Sequence, residues 1–137
     1  MKFLMINDEN IEHLDNFIKI IGSSSASFRY YNSRDTSIIK NHVLTFLLYD
    51  DEFVGYGHLD KEDDKVWLGI CVKEGCYGKG YGKKIMEKLV DYDGDIYLSV
   101  DAINARAIRL YQLFQFKEID RTEEIVYMNR EVNAPSL

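Results

Sequence analysis

The sequence predicts a mixed α/β domain built around one strand, one glycine-rich turn and one helix. Apolar runs typical of strands alternate along the chain with segments of helical periodicity. The stretch GCYGKGYGKK lies between the apolar run VWLGICV and the helix-like segment IMEKLV. With 137 residues, of which 46% are hydrophobic, the chain has the size and composition of a single globular domain.

The first half of the chain predicts one strand, two helices and then three strands. The first strand lies at 2–6, and Asn7 or Asp8 can cap a helix that runs to about residue 21. The serine-rich stretch GSSSAS at 22–27 ends this helix. A short second helix and the three strands are expected at 33–42, 43–50, 52–60 and 65–72.

The second half alternates helices and strands and closes on two strands. The expected order is helix, strand, helix and an antiparallel strand pair, at 80–92, 95–100, 104–114, 116–120 and 124–130. No internal repeat or domain boundary is visible. Residues 1–130 are therefore expected to form one domain, and residues 131–137 a loosely held tail.

The composition argues against several classes of partner. The formal net charge of −6 disfavours nucleic-acid binding, because extended nucleic-acid surfaces carry an excess of lysine and arginine. No apolar run approaches the ~20 residues of a membrane helix, and the N-terminus turns acidic early, so no membrane partner and a cytoplasmic location are expected. Cys71 and Cys76 lack the spacing of a metal-binding pair, so free thiols and no bound metal are expected.

The glycine-rich turn is of the kind that cradles phosphate, because glycine lets backbone N–H groups approach an anion closely. A nucleoside-triphosphate loop is excluded because Tyr81 follows Gly80 where lysine is required, and the frame ending at Lys83 is one residue short. A dinucleotide-binding turn is disfavoured because the glycines follow the pattern GxGxG after a meander of strands. A flexible turn with solvated lysines remains the alternative.

Two motifs resemble a known family, the GCN5-related N-acetyltransferase (GNAT) superfamily. CYGKGYG resembles its pyrophosphate loop, Gln/Arg-x-x-Gly-x-Gly/Ala, with Gly80 and Gly82 as the small residues and Tyr77 at the Gln/Arg position. SVDAINARAIRLYQLFQF at 99–116 resembles N-x-x-A-x-x-(L/F)-Y-x-x-x-G-F. The matches there are Asn104, Ala107, Leu110, Tyr111 and Phe116, with Gln115 replacing the usual glycine.

The resemblance covers nearly the whole chain and implies the acyl-CoA acyltransferase fold of that family. This fold has a central, mostly antiparallel sheet flanked by helices, in which two parallel strands, here 65–72 and 95–100, splay apart. The implied reaction is direct transfer of an acetyl group from acetyl-CoA to an amine. The implied acetyl-CoA contacts are Ile70, Val72, Tyr77, Gly78, Lys79, Gly80, Tyr81, Gly82, Lys83 and Asn104.

The motif match makes Tyr111 the expected general acid, which would protonate the departing CoA sulfur. From its apolar neighbours alone, Tyr111 would more often be a core tyrosine, and only the motif match favours the catalytic role. The general base is less well defined, because Val66 and Trp67 stand where some family members carry a glutamate. His58 is the first candidate, since an imidazole titrates near neutral pH. Asp60 and an ordered water are the alternatives.

The segment SFRYYNSR is expected to contact the acceptor, because the part of the chain after the first helix does so in this family. The expected acceptor contacts are Phe28, Arg29, Tyr30, Tyr31 and Trp67. The alternative for this segment is a surface loop with a packed aromatic anchor. Arg34 lies in the same stretch.

The expected acceptor is a small-molecule amine, and the expected assembly is a monomer or homodimer. The phrases GYGHLD and WLGI resemble a GNAT subgroup linked to bacterial surface polysaccharides, which implies an amino sugar. The alternatives are a protein or peptide N-acetyltransferase and a CoA-binding module without turnover.

Overall fold

A seven-stranded sheet forms the centre of the computed structural model, which describes residues 1–21 and 28–132. The strand order is β1-β2-β3-β4-β5-β7-β6. The strands are β1 (Lys2–Met5), β2 (His42–Tyr49), β3 (Phe53–Glu62), β4 (Lys65–Val72), β5 (Ile96–Asp101), β6 (Lys117–Arg121) and β7 (Ile125–Arg130).

Three α-helices cover the sheet in the described part of the chain, together with two short 3₁₀ turns. The helices are α1 (Ile11–Ile20), α2 (Tyr81–Leu89) and α3 (Ala105–Leu113), and the 3₁₀ turns are Tyr30–Asn32 and Thr36–Asn41. No helix of residues 1–21 and 28–132 is both long and apolar enough to cross a membrane.

The sheet confirms the expected fold class, since all its neighbouring strands are antiparallel except β4 and β5. These two strands share a single backbone pair, Trp67 with Tyr97, and make no further pairing toward their carboxyl ends. The sheet therefore opens between the end of β4 and the end of β5. This opening is the expected splay.

The two faces of the sheet carry different packing. On one face, Tyr56 and Cys71 pack with Leu14 and Phe17 of α1. On the other face, the glycines of β3 admit α2 so closely that a Cβ on Gly57 would lie 2.9 Å from Cγ2 of Ile85. Successive side chains of each strand point to one or the other of these two faces. The opening between β4 and β5 is a gap in the sheet, so it connects the two packed layers.

The structure corrects the predicted helix at 33–42. Only Thr36–Asn41 is helical there, as a 3₁₀ turn, and His42 begins strand β2. The residues between α1 and the strands are polar and lack a continuous apolar stripe, so nothing sustains a longer helix. The predicted helix-breaking stretch at 22–27 and residues 133–137 of the predicted tail lie outside the described residues.

Helix α3 ends in a motif that normally requires glycine. Phe116 N–H donates to the carbonyl of Tyr111, and Gln115 N–H donates to that of Gln112, while Gln115 adopts φ of 70°. These two bonds are those of a Schellman motif. The end of helix α3 therefore has the cap that a glycine normally forms, although glutamine stands at this position. Gln115 takes the left-handed conformation that glycine takes elsewhere.

Replacing Gln115 by glycine should stabilise the protein. Gln115→Gly removes the steric cost of a left-handed non-glycine residue, so we expect the free energy of unfolding to rise by about 1 kcal/mol. Urea unfolding followed by circular dichroism measures the change. Gln112→Gly, inside the same helix, is the matched control and should lose about 0.5–1 kcal/mol. A loss of stability in Gln115→Gly would contradict this account of the helix end.

Candidate active site

A cavity of about 830 Å³ occupies the opening between β4 and β5 and is lined from both faces of the sheet. The glycine-rich turn and Tyr111 border it on the α2 and α3 side, and Tyr30, His58 and Asp60 border it on the α1 side. Most of the expected site residues therefore meet in one space. The exceptions are Tyr31, Lys79 and Lys83, which do not border the cavity.

The glycine-rich turn presents open backbone to the cavity. Gly78 and Gly80 have φ of 78° and 83°, and no atom lies within 4 Å of the position that a Cβ would take at either residue. Gly80 directly precedes helix α2, whose first backbone N–H groups have no partner within the helix. Gly82 serves packing instead, because a Cβ there would lie 3.1 Å from a Leu110 methyl carbon. The turn thus combines accessible N–H groups with a helix N-terminus.

The side chain of Tyr81 points away from the turn. Its hydroxyl donates a 2.5 Å hydrogen bond to Oδ2 of Asp50, and this bond, followed by burial, raises the pKa of Tyr81 to about 12. Any contact of Tyr81 with a ligand at the turn therefore involves its backbone rather than its phenol.

Arg106 is a cavity residue that the sequence analysis missed. Its guanidinium carbon lies 4.5 Å from the ring centre of Tyr77, which is 42% exposed. Both side chains border the cavity beside the glycine-rich turn. The ring of Tyr77 thus supports a cation near the position where the related loops carry glutamine or arginine. The sequence feature that could have indicated Arg106 is its position in the first turn of the helix that Asn104 caps.

Asn104 caps α3, since its side-chain oxygen accepts from the backbone N–H of Ala107 at 3.2 Å. It also borders the cavity. The cap orients the first turn of α3, and one turn further on the same helix carries Tyr111. Asn104 therefore both caps α3 and lies at the cavity, where the resemblance implied a contact with acetyl-CoA.

Tyr111 lies at the wall of the cavity and is 6% exposed. Burial, reinforced by the nearby Cys71, raises the pKa of Tyr111 well above its usual value, so the phenol stays protonated. Its hydroxyl makes no hydrogen bond within the described residues, although the ring packs against Phe116. Burial also raises the pKa of the Cys71 thiol to about 12, which makes this thiol a poor nucleophile.

On the α1 side, five aromatic side chains form what we term the tyrosine–histidine cluster. Its members are Tyr30, Tyr31, His42, Tyr56 and His58. The rings of Tyr30 and His58 are 4.3 Å apart, and those of His42 and His58 are 4.6 Å apart. Tyr31 bonds to Tyr56 rather than facing the cavity, at 2.5 Å between hydroxyl oxygens. This bond is the reason that Tyr31 is missing from the cavity wall.

One chain of hydrogen bonds within the cluster ends on Asp60. Tyr30 donates its hydroxyl proton to Oδ2 of Asp60 at 2.7 Å, so its oxygen must accept from Nε2 of His42, also at 2.7 Å. Nδ1 of His42 then accepts from the hydroxyl of Thr45 at 2.6 Å. The chain assigns one neutral tautomer to His42. Burial agrees, because it lowers the pKa of His42 to about 4.

His58 is the expected general base and lies at the base of the cavity, 2% exposed. Its Nδ1 bonds to the Tyr56 hydroxyl at 2.6 Å, and its ring lies over Gly69, where any Cβ would collide with it. Burial, followed by the influence of His42, holds the pKa of His58 well below its usual range. His58 is therefore neutral at neutral pH, and its role as a base stays a prediction.

His42 was missed because it was assigned to the end of a helix. It begins strand β2 and brings a second histidine to the sheet, beside His58. Two ion pairs complete this end of the cavity: Arg29 with Asp101 at 2.5 Å and Arg34 with Glu62 at 3.6 Å. No group of three or more His, Cys, Asp or Glu side chains in residues 1–21 and 28–132 could hold a metal ion.

Comparisons with known proteins agree with this architecture. The sequence model described as "Acetyltransferase (GNAT) family" matches residues 9–116. A spermine/spermidine N(1)-acetyltransferase of Bacillus subtilis (strain 168) is 34% identical over 86 residues, covering 52% of this chain and 57% of that protein. The match thus spans little more than half the length of this curated relative.

Two solved structures share the fold at low sequence identity. A putative acetyltransferase, yncA, from Salmonella typhimurium, solved with acetyl-CoA, has a TM-score of 0.75 and 14% identity, covering 100% of this chain and 96% of that chain. A spermidine N-acetyltransferase from Vibrio cholerae, solved with CoA and spermine, has a TM-score of 0.73 and 14% identity. The match covers 95% of this chain and 94% of that chain.

The buried histidines should make the fold acid-sensitive. The native state keeps His42 neutral down to about pH 4, whereas an unfolded histidine binds a proton near pH 6.5. The contribution of His42 to the free energy of unfolding should therefore be constant above pH 6.5 and fall as the pH drops toward 4, by at most about 1.4 kcal/mol for each unit, because the partly exposed ring is screened by solvent.

Urea unfolding at several pH values measures this slope. His42→Asn should remove the His42 share of this slope between pH 6.5 and 4 and leave the share of His58, and His13→Asn, at a histidine outside the cluster, controls for the substitution itself. An unchanged slope in His42→Asn would show that His42 is not held neutral.

Proposed function

The chain belongs to the acetyltransferase (GNAT) family, and from this premise we propose that it transfers the acetyl group of acetyl-CoA directly to the primary amine of a small molecule. One observation carries the proposal. The cavity passes through the opening between β4 and β5, so it joins a phosphate-binding turn on one face to a polar, aromatic pocket on the other. A donor and an acceptor can therefore meet inside the sheet.

The residues on the α2 side fit acetyl-CoA. The turn at Gly78 and Gly80 leaves its backbone open, as the close approach of a pyrophosphate requires. Ile70 and Val72 border the cavity along β4, where the strand has left its pairing with β5, and their backbone would pair with the pantetheine arm. Lys79 and Lys83 lie outside the cavity wall and would contribute only to the local positive potential.

The chemistry follows from what each side of the cavity can do. When bound, acetyl-CoA supplies the acetyl group, which forms a bond to the amine nitrogen as the carbon–sulfur bond breaks. Tyr111 holds a proton on a buried hydroxyl and donates it to the departing sulfur. His58, in its neutral form, Asp60 or a water molecule takes the proton that the amine loses.

The acceptor side fits a small molecule with an amine and a polar or aromatic-stacking body. Tyr30 and Trp67 both border the cavity. The Tyr30 hydroxyl bonds to Asp60, and Trp67 pairs with Asp60 across the sheet. The relatives are named for spermine and spermidine, whereas GYGHLD and WLGI implied an amino sugar. Both classes are primary amines, and a screen of acceptors should include both.

Removing the Tyr111 hydroxyl should slow the chemical step. Tyr111→Phe should lower kcat by about 100-fold or more, the usual range for a lost general acid, while acetyl-CoA affinity stays within about twofold. Initial rates of thiol release and calorimetric titration with acetyl-CoA measure the two quantities. Tyr92→Phe, at a tyrosine away from the cavity, is the matched control. An unchanged kcat would remove Tyr111 from the mechanism.

Acetyl-CoA should stabilise the native protein through Arg106 as well as through the turn. At a ligand concentration of about 100 times Kd, binding adds about 2.7 kcal/mol, which raises Tm by several degrees. Arg106→Gln should weaken acetyl-CoA binding about three- to tenfold, since it removes a cation beside the turn. Arg109→Gln, exposed on the same helix but away from the cavity, should bind normally. Absence of any Tm shift at saturating acetyl-CoA would overturn the proposal.

A further inference from the structure

Asp60 contains a buried polar atom that lacks a hydrogen-bond partner. Its side chain is 2% exposed and borders the cavity, yet Oδ1 accepts no hydrogen bond. Among the described residues, no other buried side-chain nitrogen or oxygen is left in this state. A buried carboxylate oxygen without a partner is destabilising, so its presence at the cavity wall points to a ligand group that binds it.

The other oxygen of Asp60 is held in place by the surrounding structure. Oδ2 accepts from the Tyr30 hydroxyl, which itself accepts from His42, which in turn accepts from Thr45. Every proton in this chain points toward Asp60. The chain therefore fixes the orientation of the Asp60 side chain, while Oδ1 stays available.

On the α1 side of the cavity, Asp60 is the one carboxylate among the described residues whose charge no ion pair balances. Glu62 pairs with Arg34, and Asp101 pairs with Arg29. Of the carboxylates that border this cavity within residues 1–21 and 28–132, only Asp60 makes no ion pair. The formal charge here therefore sums to −1, and a bound cation would neutralise it.

Asp60 also lies at a defined position relative to the expected thioester. It pairs across the sheet with Trp67, the last residue of β4 that pairs with β5. Ile70 lies three residues further along β4, about 10 Å away at the rise of a strand. Asp60 thus lies at the end of the opening where β4 and β5 are still paired. The proposed acetyl-CoA contacts at Ile70 and Val72 lie further along β4, where the strands have separated.

We propose that Asp60 anchors a second, non-reacting ammonium group of the acceptor, so that the enzyme prefers linear diamines and longer polyamines to monoamines. This inference rests on the proposed acetyl transfer and names its acceptor class. A fixed carboxylate holds a bound amine in its protonated form, which has no lone pair to attack with. The proposed acetyl-CoA contacts on β4 begin about 10 Å away at Ile70, so an ammonium anchored at Asp60 would leave the opposite amine free to reach the acetyl group.

The test compares amines that differ only in the second charge. Initial rates with acetyl-CoA are measured for diamines from 1,3-diaminopropane to 1,8-diaminooctane and for monoamines of equal carbon number. The wild-type protein should favour one diamine length, with kcat/KM at least tenfold above the matched monoamine. Asp60→Asn should lower kcat/KM for that diamine at least tenfold more than for the matched monoamine, mainly through KM.

Matched controls separate a local anchor from general charge. Glu87→Gln removes one negative charge from an exposed position on α2 and should keep the full diamine preference. If Asp60→Asn does not fold, the wild-type protein alone tests the proposal. The preferred diamine should then raise its Tm more than the matched monoamine, and added salt should reduce the difference.

Two outcomes would overturn the anchor. Equal kcat/KM for diamines and monoamines in the wild-type protein is one. A loss of kcat for both classes in Asp60→Asn is the other, because it would make Asp60 the general base. Calorimetry with the diamine keeps the two proposals distinguishable. Suppose that the wild-type protein binds the diamine, that Asp60→Asn abolishes this binding, and that no amine is acetylated. This result would support the anchor and contradict the proposed reaction.

Discussion

The single backbone pair between β4 and β5 is the constraint on which the site depends. Trp67 and Tyr97 join the two strands at one end, and the absence of further pairing lets them separate at the other. The sheet is otherwise continuous, since β3 pairs with β4 along the whole of that strand and β5 pairs with β7. A cavity can therefore pass through the sheet without disrupting its core.

The separation of the two strands also divides the chemistry between two faces. The glycine-rich turn, Arg106 and Tyr111 lie with α2 and α3, whereas Asp60 and the tyrosine–histidine cluster lie with α1. One face offers backbone N–H groups and a cation to phosphate. The other offers a carboxylate in a neutral aromatic setting, because burial keeps both histidines uncharged. The two faces thus carry groups suited to ligands of opposite charge, and they meet only in the opening.

The sequence predicted the fold and a glycine-rich turn that borders the cavity, because those features depend on local patterns. Glycine spacing, helical periodicity and the Asn104–Tyr111 motif each lie within one short stretch. His42, Asp60 as an unpaired acid, and Arg106 on Tyr77 were harder to predict. They depend on strand register and on which side chains meet across the fold, and a single sequence does not carry that information. The helix predicted at 33–42 was wrong in extent for a similar reason, since His42 is held by strand pairing.

The most direct test of the proposed function is amine-dependent release of CoA thiol from acetyl-CoA. The purified chain is assayed with a panel of diamines, monoamines, amino sugars and basic peptides. The account predicts turnover with at least one small primary amine, with stoichiometric acetylation of that amine confirmed by mass spectrometry. Turnover confined to peptides would contradict the small-molecule acceptor. No turnover with any amine, despite acetyl-CoA binding, would contradict the enzyme itself.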